Sequence, residues 1–174
     1  MFLRNHNLTI RNATLEDASI LCKWWNDGKV MAHAGFPNGL GTRKDNIIQQ
    51  ILADTDETHR CLMIELDGVP TGEMNYRNLG NNIAEIGIKI CDLSKQEKGY
   101  GKKLLSMLIN ELFKELGYKK IILDTNLNNL RAQHVYESLG FQKVRVNMNA
   151  WKDQLGVPQS SIDYELEKKD FINY

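Results

Sequence analysis

Residues 96–103 read Gln-Glu-Lys-Gly-Tyr-Gly-Lys-Lys and separate an apolar run from an amphipathic segment. The run from Ile83 to Ile90 alternates as a strand does, and the segment from Lys102 to Leu116 has helical periodicity. A glycine-bearing loop at the start of a helix presents free backbone N–H groups at the positive end of the helix dipole. Gly99 and Gly101 allow the backbone to approach a ligand closely, and the lysines of the loop add positive charge. The stretch therefore predicts a loop that binds the phosphates of a ligand.

A second motif follows the predicted strand from Ile121 to Asp124. It extends from Asn129 to Phe141 and reads N-L-R-A-Q-H-V-Y-E-S-L-G-F. The glycine loop has neither the G-x-G-x-x-G spacing of dinucleotide-binding proteins nor the G-x-x-x-x-G-K-[ST] spacing of P-loop proteins, which disfavours both. Together, Q-x-x-G-x-G and N-x-x-A-x-x-x-Y-E-x-x-G-F resemble the GNAT family of N-acetyltransferases. The resemblance extends from Leu8 to about Glu167, and its motifs are specific for the family but not for the acceptor substrate.

Length and composition are those of an ordinary globular protein. The chain has 174 residues, 42% of them hydrophobic and 25% charged, which suits a single domain over residues 1–174. The formal net charge is zero, so no general attraction to nucleic acid or to a membrane surface is expected. No apolar stretch approaches the ~20 residues of a membrane-spanning helix. No signal peptide is visible between Met1 and Asn7, which favours a cytoplasmic location.

The cysteines and histidines give no sign of a disulfide framework or a metal site. Cys22, Cys61 and Cys91 are odd in number and widely spaced, as expected for buried thiols in a reducing compartment. The four histidines lack the spacing of metal ligands. We therefore expect no bound metal.

Hydrophobic periodicity predicts hairpins early in the chain and strands alternating with helices later. That order predicts a mixed sheet with helices on both faces. The resemblance implies the α+β GNAT fold. In that fold the central sheet is mostly antiparallel and is splayed beside the loop, and coenzyme A lies in the gap. The predicted elements are a strand at Leu8–Arg11, a helix at Leu15–Asn26 capped by Thr14 and Asp17, a helix capped by Thr42, a hairpin of Cys61–Leu66 and Thr71–Tyr76, the strand Ile83–Ile90, the helix Lys102–Leu116, a strand at Lys120–Leu123, the helix Asn129–Leu139, and a closing hairpin of Val144–Trp151 and Ser161–Leu166.

The resemblance also implies which residues hold acetyl-CoA. The backbone of the strand before the loop would pair with the pantetheine arm, and the loop backbone would bind the pyrophosphate. The 3′-phosphate would meet Lys98, Lys103 or Arg131, although a solvated position is the alternative for each. Asn129 would bind pantetheine, cap its helix, or do both. The expected cofactor-binding residues are Ile88, Ile90, Gln96, Lys98, Gly99, Tyr100, Gly101, Lys102, Asn129 and Arg131.

Three residues are candidates for proton transfer. Tyr136 would donate a proton to the leaving thiolate, the alternative being a core aromatic residue with its hydroxyl at the rim. Glu85 and Glu73 lie in the middle of predicted strands, where a carboxylate is costly unless it faces a wet cleft. Either would accept a proton from the amine, with Glu85 preferred because it lies on the acetyl-binding strand. A solvated or salt-bridged carboxylate is the alternative for each, and members of the family often use no fixed base.

Two segments form the walls of the acceptor pocket by resemblance, from Trp24 to Gly41 and from Asn149 to Gln159. Trp25 belongs to the apolar stripe of its helix and is expected in the core. Acidic and aromatic lining would suit a cationic amine. The candidate pocket residues are Trp24, Asn26, Asp27, His33, Phe36, Trp151 and Asp153.

The resemblance implies an acetyl-CoA-dependent N-acetyltransferase that acts on a primary amine, in a small molecule or a peptide, by direct attack in a ternary complex. The pattern is most similar to the branch that acetylates protein N-termini, polyamines or aminoglycosides, and a homodimer is compatible with it. A covalent route through Cys91 is a minor alternative. A non-catalytic domain that senses acyl-CoA is the rival of another class.

Overall fold

One sheet of eight strands organises the protein, and the structure, a computed structural model, describes all of residues 1–174. Its strand order is β1-β2-β3-β4-β5-β6-β8-β7. Every neighbouring pair is antiparallel except β5 and β6, which are parallel. The strands are β1 (Phe2–Asn5), β2 (Leu8–Asn12), β3 (His59–Leu66), β4 (Val69–Asn78), β5 (Ile83–Ile90), β6 (Lys120–Asn126), β7 (Gln142–Lys152) and β8 (Pro158–Glu167).

Helices cover both faces of this sheet. On one face, α4 and α5 pack against the apolar side chains of the central strands and form the larger core. On the other face, α1 and α3 cover β3 and the end of β5 with a smaller apolar cluster. None of the helices combines the length and apolar character needed to cross a lipid bilayer. The α-helices are α1 (Ala18–Trp25), α2 (Gly28–Met31), α3 (Lys44–Ala53), α4 (Tyr100–Lys114) and α5 (Leu130–Ser138).

The sheet is open in the middle, as the resemblance implied. Strands β5 and β6 pair only from Ile83 to Glu85 on one strand and from Lys120 to Ile122 on the other. Beyond these residues β5 continues to Ile90 beside β4, whereas β6 continues beside β8. The two halves of the sheet therefore diverge and leave a gap between the ends of β5 and β6, directly before the glycine loop.

Several boundaries differ from the prediction. Strand β1 was not predicted, because the segment before Leu8 lacks a buried face to give it alternation; it pairs with β2 at the sheet edge. Helix α3 begins at Lys44, and Thr42 does not cap it. The Thr42 N–H instead donates to the side chain of Asn26, and its carbonyl accepts from the same amide at 2.8 Å. Thr42 is therefore bound to Asn26, at the end of α1, and α3 begins two residues later, at Lys44.

Candidate active site

The loop before α4 has the conformation of an anion-binding site. The N–H groups of residues 97–99 make no hydrogen bond within the protein. Glu97 and Gly99 both have positive φ, of 61° and 78°, which is the alternation that collects N–H groups into a concavity. No side chain caps the start of α4, so its first N–H groups are also free. The geometry supports the predicted phosphate-binding role of this backbone.

Side chains of the loop are engaged with the protein rather than pointing freely at a ligand. Gln96 donates from its Nε2 to the carbonyl of Ile90 at 2.8 Å. Arg131, on α5, donates to the Gln96 side chain at 3.3 Å and to the Glu97 carboxylate at 3.2 Å. The Lys102 ammonium lies 4.0 Å from the centre of the Tyr174 ring, whereas Lys98 is exposed. These contacts fix the shape of the loop and leave its backbone available.

The free edge of β5 faces the gap in the sheet. The Cys91 N–H donates to Thr71 of β4 at 2.9 Å, so by alternation the N–H and carbonyl groups of Ile90 and Ile88 point away from β4. The bond from Gln96 to the Ile90 carbonyl agrees with this direction. The side chains of both isoleucines pack against the larger core. Backbone and side chain therefore serve separate purposes, and an extended ligand has a strand edge to pair with.

Tyr136 lies on the face of the sheet that α4 and α5 cover. Its ring packs in the larger core against Phe141 and Tyr164, with ring centroids 5.8 Å and 5.7 Å away. Its hydroxyl makes no hydrogen bond within the protein. Every fully enclosed side-chain oxygen of the protein has a hydrogen-bond partner, so the Tyr136 hydroxyl is in contact with solvent. The hydroxyl thus reaches open space while the ring is held rigidly. Burial, with a contribution from the charge of Asp124, raises the pKa of Tyr136 to about 12.

Asn129 has the capping role expected of it. Its side-chain oxygen accepts from the Ala132 N–H at 3.2 Å at the start of α5, and its amide reaches the Thr125 hydroxyl at 3.5 Å. This capping orients α5 and, with it, Tyr136.

Glu85 lies on the polar face of the sheet next to the gap. It forms an ion pair with Arg77, the residue directly opposite on β4. Asp124 shares this face, because Ile122 is the register partner of Glu85 and Asp124 follows two residues later. Asp124 is exposed to solvent, and partial desolvation of its carboxylate, followed by the charges of Glu85 and Asp163, raises its pKa. The sequence analysis missed Asp124; its only signal was a carboxylate at the end of an apolar strand.

Glu73 lies away from the gap, under α1. It is 3% exposed, and one of its oxygens accepts both from the Lys89 ammonium and from the Trp25 indole N–H, each at 3.0 Å. Trp25 is therefore the partly exposed tryptophan of α1, and Trp24 is the buried one, which reverses the prediction for the two residues. The Trp25 ring packs against the edge of the smaller apolar cluster, and its indole N–H has a polar partner in Glu73.

Substituting Glu73→Gln is expected to lower the free energy of unfolding by about 1–3 kcal/mol, because it leaves the Lys89 ammonium without its buried counter-charge. Urea unfolding measures this loss. The fractional change in kcat should be smaller than the fractional change in the folding equilibrium constant. A collapse of kcat with an unchanged unfolding midpoint would show that Glu73 acts in catalysis instead.

Cys91 is poorly suited to nucleophilic attack. It is buried in the smaller apolar cluster, and its thiol donates to the Lys89 carbonyl at 3.7 Å. Burial, reinforced by the nearby Glu73 carboxylate, raises the pKa of Cys91 to about 12. The thiolate, which is the reactive form, is therefore scarce at neutral pH.

The two predicted walls of the acceptor pocket meet in the structure. Gln154, at the tip of the β7–β8 hairpin, donates through its backbone to the Gly35 carbonyl at 2.8 Å and through its side chain to the Gly39 carbonyl at 3.0 Å. Its side-chain oxygen also accepts from the Asn38 N–H at 2.9 Å. The Trp151 ring lies so close to Gly35 that an added Cβ would come within 2.3 Å of it. The hairpin therefore closes over the α2 region and bounds the polar face of the sheet.

Several candidate pocket residues have structural roles here. Asn26 holds Thr42, and Asp27 caps α2 by accepting from the Lys29 N–H at 2.8 Å. Asp153 accepts from two backbone N–H groups of its own turn. Phe36 and Trp151 are half-buried and His33 is exposed, so these three remain available to a ligand.

Known proteins share both the sequence pattern and the fold. A family model described as an acetyltransferase (GNAT) domain matches residues 7–142. Aminoglycoside N(6')-acetyltransferase type 1 of Klebsiella pneumoniae is 28% identical over 154 residues, covering 80% of this chain and 76% of that protein. Spermidine N-acetyltransferase from Vibrio cholerae, solved with coenzyme A and spermine, superposes with a TM-score of 0.83 at 20% identity, covering 95% of this chain and 98% of that one.

A ribosomal-protein-alanine N-acetyltransferase from Brucella melitensis has the same fold, with a TM-score of 0.78 at 20% identity over 91% of this chain and 98% of that one. These similar proteins differ in acceptor but share the acetyl transfer. The splayed sheet and the free loop backbone stand where the two sequence motifs predicted them. On the family match over most of its length, this chain belongs to the GNAT family of acetyltransferases and is an acetyl-CoA-dependent N-acetyltransferase.

Proposed function

We propose that residues 1–174 act as one N-acetyltransferase domain that transfers an acetyl group directly to a primary amine of a small molecule or peptide. The observation that carries the proposal is the Tyr136 hydroxyl, which has no hydrogen-bond partner in the protein and belongs to the core against which Ile88 and Ile90 of β5 pack. A proton donor, a strand edge and a phosphate-binding loop are thus held around one gap. Acetyl transfer uses all three.

The residues around the gap fit acetyl-CoA. When bound there, the thioester of acetyl-CoA supplies the acetyl group. The backbone of Ile88 and Ile90 would pair with the extended pantetheine arm, and the loop N–H groups would bind the pyrophosphate. Arg131 lies beside the loop and already carries Glu97 as a partner, so a 3′-phosphate would compete with that carboxylate.

Tyr136 would serve as a proton donor and not as a base. Because its pKa is raised to about 12, the hydroxyl stays protonated throughout the neutral range. It can donate a hydrogen bond to the sulfur as negative charge develops there. The rigid packing of its ring against Phe141 and Tyr164 keeps that donor in place.

Direct transfer in a ternary complex is favoured over a covalent enzyme intermediate. Cys91 is buried, and its raised pKa keeps it as a thiol at neutral pH. Its side chain also lies on the α1 face of the sheet, away from Tyr136. A Cys91→Ala variant is therefore expected to turn over at the wild-type rate. The wild-type protein is expected to show no burst of coenzyme A release.

The proposal is tested by incubating the protein with acetyl-CoA and a panel of polyamines, aminoglycosides, amino acids and N-terminal peptides. Coenzyme A and acetylated products are separated by chromatography, because the partly exposed Cys22 thiol would react with a thiol dye. One strongly preferred amine is the expected result. Acetyl-CoA that binds and stays intact across the panel would contradict the proposal and favour the acyl-CoA sensor. A homodimer and a cytoplasmic location stay predictions from the sequence.

A further inference from the structure

Residues 168–174, here called the C-terminal segment, leave the end of β8 and pass along both α5 and α4. The Ile172 N–H donates to the carbonyl of Leu139, directly after α5, at 3.0 Å. The Phe171 ring packs against that of Phe113 on α4, with ring centroids 5.9 Å apart. The C-terminal segment is therefore anchored to both helices that flank the glycine loop.

A buried serine of α4 holds the end of the C-terminal segment. Ser106 is 1% exposed, and its hydroxyl donates to the side-chain oxygen of Asn173 at 2.8 Å. The same hydroxyl accepts from the backbone N–H of Tyr174, also at 2.8 Å. Both the donor and an acceptor site of this hydroxyl are thus used by the segment. The backbone of Tyr174 is fixed on α4 as a result.

From this anchor the side chain of Tyr174 extends toward the glycine loop. Lys102 precedes Ser106 by four residues, so it lies on the same side of α4 and one turn nearer the start of the helix. The Lys102 ammonium lies 4.0 Å from the centre of the Tyr174 ring. Gly101, which precedes Lys102, belongs to the phosphate-binding loop. The ring therefore stands beside that loop.

The Tyr174 ring is held in place and yet open on one side. The residue is 63% exposed although its backbone is anchored. Since one face of the ring lies against the Lys102 ammonium, the opposite face is the open one. Nucleobases stack on aromatic faces presented in this way. None of the ion pairs of the protein involves Lys102, so its charge is available to a phosphate.

The direction of the ligand brings its nucleotide to this side of the loop. Acetyl-CoA has its acetyl group at one end and its adenosine at the other, with the pyrophosphate between them. If pantetheine pairs with the edge of β5 and the pyrophosphate lies on the loop N–H groups, the adenosine has to leave the loop away from β5. The starts of α4 and α5 border that exit, with Lys102 on one helix and Arg131 on the other.

We propose that Tyr174 binds acetyl-CoA by stacking its ring on the adenine, with the Lys102 ammonium on the other face of the ring. This inference rests on the acetyl-CoA site of the proposed function. It assigns the C-terminal segment to the nucleotide end of the ligand, which lies outside both sequence motifs. Tyr174 meets Lys102 only because the segment folds back along α4, so no local pattern in the sequence indicates the contact.

The first test compares acetyl-CoA binding by calorimetry in the wild type and three variants. Tyr174→Ala is expected to weaken binding by about 5- to 50-fold, the range for a base stacked on one aromatic ring. Because stacking needs the ring and not the hydroxyl, Tyr174→Phe should bind within about twofold of wild type. Phe2→Ala is the matched control, since it removes an equally exposed ring at the far edge of the sheet and should change nothing.

Two results of that comparison would overturn the inference. One is an affinity of Tyr174→Ala that differs from wild type no more than that of Phe2→Ala. The other is an equal loss in Tyr174→Ala and Tyr174→Phe, which would assign the effect to the hydroxyl instead of the ring.

The second test uses the two halves of the ligand in competition with acetyl-CoA. Adenosine 3′,5′-bisphosphate carries the adenine, and 4′-phosphopantetheine carries the arm without it. Tyr174→Ala should bind the bisphosphate more weakly by about the same factor as acetyl-CoA, and phosphopantetheine as wild type does. Equal weakening of both halves would show a change of fold and not a lost contact with adenine. Failure of the bisphosphate to compete for the wild type would also contradict the inference.

These measurements do not depend on turnover, so they separate the inference from the proposed function. If no amine is acetylated but Tyr174→Ala still binds acetyl-CoA more weakly than Tyr174→Phe, the adenine contact stands and the acetyl transfer fails. If an amine is acetylated and Tyr174→Ala keeps the wild-type affinity for acetyl-CoA, the transfer stands and Tyr174 does not bind adenine. With saturating acetyl-CoA, Tyr174→Ala should keep the wild-type kcat, because its ring serves the nucleotide end and not the thioester.

Discussion

Substituting Tyr136→Phe is expected to lower kcat by about 10²–10⁴-fold, the usual contribution of a positioned proton donor. Stability should hardly change, because the hydroxyl makes no hydrogen bond within the protein and the phenyl ring still fills the space between Phe141 and Tyr164. Acetyl-CoA affinity should also be kept, since the β5 edge and the loop are untouched. Steady-state kinetics with the preferred amine, urea unfolding and calorimetry measure the three quantities.

Tyr118→Phe is the matched control for that variant. Tyr118 is also buried in the larger core, with its ring 6.4 Å from that of Tyr76, but it lies at the other end of β6 from the gap. Its loss of a hydroxyl should leave kcat within about twofold of wild type, as for a residue outside the site. If Tyr136→Phe and Tyr118→Phe turned over equally well, the proton donor would have to be another group or solvent.

Substituting Gly101→Ala is expected to weaken acetyl-CoA binding by about 10- to 100-fold, because a methyl group would hold the phosphates away from the loop N–H groups. The folded protein has room for that methyl group: its nearest neighbour would be an Ile90 side-chain carbon at 3.9 Å. Alanine also favours a helix over glycine by up to about 1 kcal/mol, so stability should be equal or higher. Calorimetry with acetyl-CoA and thermal unfolding measure the two effects.

Gly99→Ala provides the contrast, since Gly99 has a positive φ that alanine adopts only with strain. This variant should lose both stability and acetyl-CoA affinity. Lys114→Ala, which removes an exposed side chain at the other end of α4, should change neither greatly. An undiminished affinity in Gly101→Ala would mean that the phosphates do not lie against this turn of α4.

Local patterns were sufficient for most of the elements. The capping box of Thr14 and Asp17, the alternation of β5 and the helical stripe of α4 all appear in the structure, because each depends on residues a few positions apart. The mixed sheet with helices on both faces was also predicted correctly. Assignments that depend on distant partners failed, such as the cap of α3, where Asn26 takes Thr42, and the choice between Trp24 and Trp25.

The sequence by itself determined the family, the glycine loop and the position of Tyr136, because these are contiguous motifs whose chemistry is local. Tertiary structure alone decided which carboxylates face the gap. Glu73 and Glu85 occupy similar strand positions in the sequence, yet Glu73 is buried with Lys89 and Trp25 while Glu85 borders the gap. The short pairing of β5 with β6 and the register of β8 bring Glu85, Asp124 and Asp163 to the same face of the sheet. Charge depends on neighbours in space, and strand register across the sheet sets those neighbours.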